Sequence, residues 1–140
     1  MQVVIFDVYV KANSYFAIGY GHNMFNTDMV FWGANYTDSQ QLDLYSTGHI
    51  EPTVDPINVY NTTYIVNVDG SVNFTSIRLL NPGVASNESF IMELDTPMPM
   101  IASYNSESSL LQWHGYTNYD YWHLYVSSTN ETKDFTTKSK

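Results

Sequence analysis

Apolar and polar positions along the 140-residue chain alternate over short stretches and reset at turn residues, the pattern of β-strands rather than helices. Residues 2–10 set Val3, Ile5 and Val8 among polar neighbours, break at Asn13-Ser14, and resume as Tyr15-Phe16-Ala17-Ile18-Gly19-Tyr20. So short a break predicts that these two runs form an antiparallel pair. Asp28-Met29-Val30-Phe31-Trp32-Gly33 predicts a third strand, reached through a loop at residues 21–27. Residues 35–56 carry turn chemistry at Gly48, Pro52 and Pro56, and little regular structure is expected there.

The pattern returns from Ile57 with Val59, Ile65, Val66 and Val68, and runs into Asp69-Gly70. That dipeptide predicts a two-residue hairpin turn, since both residues tolerate positive φ. Residues 72–80 form the return strand. Further short strands are expected at 90–94, 100–104, 110–114 and 121–126, separated by Asn81-Pro82-Gly83 and Thr96-Pro97-Met98-Pro99. No stretch of twelve or more residues has a 3.6-residue period, so the fold class is all-β, an antiparallel sandwich or barrel. Residues 1–126 read as one domain and 127–140, with Lys133, Lys138 and Lys140 among Ser and Thr, as a polar tail or linker.

Composition agrees with strands and polar turns: 16% of residues are aromatic and only 14% charged. Five Lys and Arg against fourteen Asp and Glu give a net charge of -9, which repels a phosphate backbone and makes nucleic acid an unsuitable partner. No apolar run approaches the ~20 residues that span a bilayer. Five N-x-[ST] triplets, at Asn35, Asn61, Asn73, Asn87 and Asn130, point to an extracellular or luminal protein with N-glycosylation sites. The rival account is composition, because the chain is rich in Asn and Thr.

The chain has no cysteine and none of the G-x-S-x-G, H-E-x-x-H or G-x-x-x-x-G-K-[ST] signatures, so no catalytic apparatus is evident. Asp28, Asp43 and Asp55 flank loops and read as turn caps, the alternatives being acid–base work or Ca²⁺ binding. Four histidines are present, His22, His49, His114 and His123, and any one alone says little. Met24 stands out because it lies in a polar loop, Gly21-His22-Asn23-Met24-Phe25-Asn26-Thr27-Asp28, with no strand face to fill. A thioether there can offer iron a soft sulfur, and with an imidazole it makes a Met/His haem site. His114 ends the run Leu110-Leu111-Gln112-Trp113, and Phe25, Trp32, Trp113 and Tyr116 could wall a flat macrocycle. His22 could replace either ligand.

Taken in order, three stretches resemble the DOMON family, in the branch typified by the haem-binding cytochrome domain of cellobiose dehydrogenase. They are Tyr15-Phe16-Ala17-Ile18-Gly19-Tyr20-Gly21 with Met24-Phe25-Asn26-Thr27-Asp28-Met29-Val30; Asp43-Leu44-Tyr45-Ser46-Thr47-Gly48 with Pro52 and Asp55; and Ile77-Arg78-Leu79-Leu80-Asn81-Pro82-Gly83 with Met100-Ile101-Ala102-Ser103-Tyr104 and Leu111-Gln112-Trp113-His114-Gly115. The resemblance implies an immunoglobulin-like β-sandwich that binds haem b or, in other branches, a sugar. It implies Met24 and His114 as iron ligands and Arg78 near the haem propionates. Its departures are a missing leading strand, a single Arg where a more basic pair is usual, and Trp113 where Tyr is common. An electron-transfer domain, not an enzyme, follows, with a redox partner protein or attached membrane cytochrome.

A second expectation is a haem-free carbohydrate-binding or adhesion module, with Trp32, Trp113, Tyr116, Tyr119, Tyr121 and Trp122 stacking on sugars. A third is a structural domain joining a homo-oligomer or assembly through its edge strands.

Overall fold

The computed structural model describes residues 2–35, 38–48, 50–83, 90–106 and 119–124. The expected strand at 110–114, the tail at 127–140 and the sequon asparagines Asn87 and Asn130 lie outside the described residues, as do Trp113 and His114.

Nine strands are described: β1 (Val3–Val10), β2 (Ser14–Gly19), β3 (Thr27–Ala34), β4 (Gln40–Ser46), β5 (Thr53–Val54), β6 (Asn61–Val66), β7 (Val72–Leu79), β8 (Met98–Asn105) and β9 (Tyr119–Leu124). They form a three-stranded sheet in the order β1-β7-β6 and a six-stranded sheet in the order β5-β4-β3-β2-β8-β9, with antiparallel pairing in both. The fold is an all-β antiparallel sandwich, as the alternation predicts.

β3 is the spine. Paired on both edges by β2 and β4, and buried on both faces, it can be apolar at every position, which is why Met29-Val30-Phe31-Trp32 reads as a continuous run. Its alternate residues feed two separate cores. Val30, Trp32 and Ala34 point between the sheets and join Val10, Ile18, Tyr60, Val72, Phe74 and Met100. Met29 and Phe31 point the other way and join Tyr15 and Leu44 on the outer face of the larger sheet. The Trp32 ring lies 5.9 Å from Phe6 and 6.0 Å from Phe16, and its indole N–H donates to Ser76 Oγ at 2.9 Å, which ties the two sheets together.

Several expectations are corrected. β1 pairs with β7, not β2: at Asn13, in left-handed backbone with φ of 55°, the chain steps from one sheet to the other. In β1 the inward residues are Val4, Phe6, Val8 and Val10, while Val3 and Ile5 face solvent. Residues 40–46 and 53–54 form strands where little structure was expected. The β6–β7 connection has five residues, 67–71, rather than two: Asn67 N–H donates to the Ser71 carbonyl and encloses a three-residue turn, 68–70, in which Gly70 takes a φ of 85°. Residues 90–93 belong to no strand, although Met92 N–H donates to the Leu80 carbonyl at 2.9 Å.

Candidate functional site

The loop at residues 21–26 closes where Tyr20 N–H donates to the Asp28 carbonyl at 3.0 Å. Within it, Asn23 Oδ1 accepts the Phe25 N–H at 2.8 Å, and the Thr27 hydroxyl lies 2.6 Å from the Asn23 carbonyl and 3.0 Å from that of Phe25. Asn26 completes the turn in left-handed backbone, φ 48°, a conformation Asn tolerates. This local bonding folds Met24 back onto the outer-face core, half-buried against the cluster of Tyr15, Met29, Phe31 and Leu44 with Ala17, Leu42 and Ile101. Phe25 turns outward, 57% exposed, with its ring edge over Gly48, where a Cβ would sit 3.4 Å from Phe25 Cε1.

Met24 therefore does fill a strand face, at the edge of a buried apolar cluster, where its polar loop context predicted none. The other expected residues are placed elsewhere. Arg78, expected near propionates, is 1% exposed and points between the sheets, whereas Met24 belongs to the outer face of the larger one. Its guanidinium donates to the carbonyls of Leu79, Leu80 and Phe90 and stands over the rings of Tyr20 and Tyr60 at 5.7 and 5.6 Å. Trp32 is fully buried in the inter-sheet core and offers no face to a macrocycle or a sugar. His22 and His123 share a small cleft of about 120 Å³ with Gly21, Pro99, Met100 and Tyr121.

Between the sheets the sequence holds a polar cluster that the turn-cap reading of the aspartates missed. Asp28, Asp43 and Asp55 are all buried, and one carboxylate oxygen of each lies within 4.8 Å of the others. Asp28 Oδ2 accepts the Phe90 N–H and Asp43 Oδ2 the Val59 N–H, both at 2.9 Å, while Asp55 Oδ1 caps its own turn through Ile57 N–H at 3.1 Å. Among the described residues, Asp28 Oδ1, Asp43 Oδ1 and Asp55 Oδ2 are buried without a hydrogen-bond partner. Arg78 Nη1 stands 3.8 Å from Asp28 Oδ2 and supplies positive charge where a cation would otherwise be needed.

Three carboxylates cannot all ionise beside one guanidinium in so dry a space. Burial pushes Asp28 up to about 7, with Asp43 and Asp55 adding repulsion, against the Phe90 N–H and Arg78. Burial likewise pushes Asp43 up to about 6. Tyr20 and Tyr60, whose hydroxyls are 2.7 Å apart, are driven well above the usual phenol range, again by burial first, and stay neutral. The sequence did carry a signal for this cluster. Asp28 lies two residues before Val30 on one strand face, so strand alternation aims it at the interior, whereas Asp43 is placed there only by the register that makes it the cross-strand partner of Val30.

Neither a known family model nor a curated protein matches the chain by sequence. By structure it is similar to the cytochrome b domain of pyranose dehydrogenase from Coprinopsis cinerea, with a TM-score of 0.59 and 9% sequence identity over 86% of this chain and 67% of that one. At that identity the likeness shows a common fold.

Proposed function

We propose that this chain is a haem b-binding electron-transfer domain of an extracellular or luminal protein, with Met24 and His114 as the iron ligands. The observation that carries the reading is the position of Met24: a loop thioether held half-buried over an apolar outer-sheet face, in a fold shared with a cytochrome b domain. One residue in place fits such a group in kind: the Met24 sulfur is a soft donor suited to iron. Tyr15, Phe31 and Leu44 are buried and packed together, so they support the Met24 loop rather than offering an open face. Burial pushes the Tyr15 phenol up to about 12, so that support stays neutral at physiological pH.

Haem supplies a one-electron couple when bound. Met24 and His114 would hold the iron, and a thioether ligand would raise its reduction potential relative to a second imidazole. The domain would then relay electrons to a redox partner protein or an attached membrane cytochrome. Arg78, committed inside the sandwich, takes no part in holding propionates.

Reconstitution with haem b followed by visible spectroscopy tests the reading. Sharp α and β bands are expected in the reduced protein, and both Met24→Ala and His114→Ala should lose or displace them. A colourless product, or bands unchanged in both variants, overturns it.

A further inference from the structure

The outer face of the three-stranded sheet exposes large apolar side chains in rows on either side of a polar row of Asp7, Thr75 and Thr63. Strand alternation puts Val3, Ile5, Asp7 and Tyr9 of β1 on it, with Asn73, Thr75, Ile77 and Leu79 of β7 and Asn61, Thr63 and Ile65 of β6. Ile5, Tyr9 and Ile65 are more than half exposed, Ile65 at 71%. Left bare, such a face invites association through its apolar side chains.

Two of the five sequons are embedded in this face. Asn61-Thr62-Thr63 lies along β6 and Asn73-Phe74-Thr75 along β7. Because residues two apart on a strand share a face, each triplet presents its Asn and its Thr outward together. The register makes the two antiparallel mirror partners: Thr63 sits directly opposite Thr75, Asn61 opposite Ile77, and Asn73 opposite Ile65. Across the other edge of β7, Ile77 faces Ile5 and Asn73 faces Tyr9. Each sequon asparagine thus occupies a cross-strand row with two large apolar residues, and the two rows lie about 14 Å apart along the strands. Both asparagines are exposed. Asn67 Nδ2 donates to Asn73 Oδ1 at 2.7 Å, a bond to the carbonyl oxygen and not to the amide nitrogen where a sugar attaches.

We propose that Asn61 and Asn73 carry N-linked glycans and that this pair of glycans is the cover of the apolar outer face of the three-stranded sheet. In the reaction, each Asn Nδ2 forms a bond to the anomeric carbon of an oligosaccharide carried on a lipid pyrophosphate. The carbon–oxygen bond to pyrophosphate breaks, the lipid pyrophosphate leaves, and Nδ2 gives up one proton. The first sugar then lies beside Ile77 and Ile5 at one site and beside Tyr9 and Ile65 at the other. Its C–H face suits the Tyr9 ring, and its hydroxyls present a polar surface outward. The inference is independent of haem, since Met24 lies on the other sheet.

The test uses the full chain sent into the secretory pathway of a eukaryotic cell by an added leader. Peptide mass spectrometry after enzymatic deglycosylation in heavy-oxygen water should mark both Asn61 and Asn73. The doubly deprived Asn61→Gln/Asn73→Gln protein should bind an apolar fluorescent dye several-fold more than the wild type and elute as larger species. Thr63→Ala/Thr75→Ala, which removes the same glycans and keeps both asparagines, should behave alike, while Asn35→Gln should not. Unmodified Asn61 and Asn73 overturn the proposal. So does occupancy whose loss leaves dye binding and elution unchanged in both double variants.

Discussion

Asp28 on β3 and Arg78 on β7 meet 3.8 Å apart in the sandwich interior, so an ion pair bridges the two sheets where side-chain packing alone would be expected. The pair is not isolated. Arg78 also stands over the rings of Tyr20 and Tyr60, and both Asp28 and Arg78 bond Phe90, so one buried cluster anchors the head of the segment at residues 90–93, which belongs to no strand.

Removing one partner of such a pair is the severe change. Arg78→Met leaves three buried carboxyl groups with no cation and should cost about 3–5 kcal/mol in urea unfolding. Asp28→Asn should cost less, and adding it to Arg78→Met should recover part of the loss. A double variant as unstable as the sum of the singles would show that the two groups are not coupled.

The same cluster sets an uncommon pH dependence. Asp28 and Asp43 have folded values near 7 and 6, above the 3.8 of an unstrained carboxyl, so between those limits the native state holds more protons than the unfolded chain. Their contribution to stability is fully present below about pH 4 and is lost as pH rises through 6 and 7. Thermal melts should therefore give a higher Tm at pH 5 than at pH 7.5. Asp28→Asn/Asp43→Asn should flatten that difference, and a Tm that falls on acidification in the wild type but not in the double variant contradicts the assignment.

Strand existence was legible from the continuous apolar run in β3, which is buried on both faces, and from alternation in β7, where Val72 and Phe74 point inward between polar neighbours. Partner choice was not: the run at Val3–Val10 carries nothing that distinguishes β2 from β7, and the left-handed Asn13 that separates them looks like any hairpin turn. β4 was hidden for a different reason. Its apolar Leu42 and Leu44 face outward while Asp43 faces the interior, so its polarity is inverted and nearby Gly and Pro dominate the local pattern. The Met24 loop was legible as a loop, but its polarity hid that Met24 packs on the strand-face cluster of Tyr15, Met29, Phe31 and Leu44. The burial of Arg78 was not, because a guanidinium enters a core only when carbonyls, rings and a carboxylate from distant segments gather around it.

Gly19 marks a tight place on the outer face. A Cβ there would lie 2.8 Å from Ile101 Cγ1 and 3.1 Å from Met29 Cε. Gly19→Ala should destabilise by about 1–3 kcal/mol through overpacking. Combined with Ile101→Ala, which empties the contested space, it should cost less than the two single changes added. Strict additivity in denaturant melts would place the strain elsewhere.

Met24→Leu separates packing from ligation at the proposed iron site. Leucine has nearly the volume of methionine and should keep the contact with the cluster of Tyr15, Met29, Phe31 and Leu44, so stability without haem should change by less than about 1.5 kcal/mol. It has no donor sulfur. If the side chain is an iron ligand, the haem-loaded variant should lose its low-spin reduced spectrum and shift its potential downward, since the softer axial donor that favours ferrous iron is gone. If Met24 only plugs the outer face, the spectrum and potential should match the wild type while stability stays level. Equilibrium unfolding without haem, set beside spectroelectrochemistry with it, reads the two contributions separately.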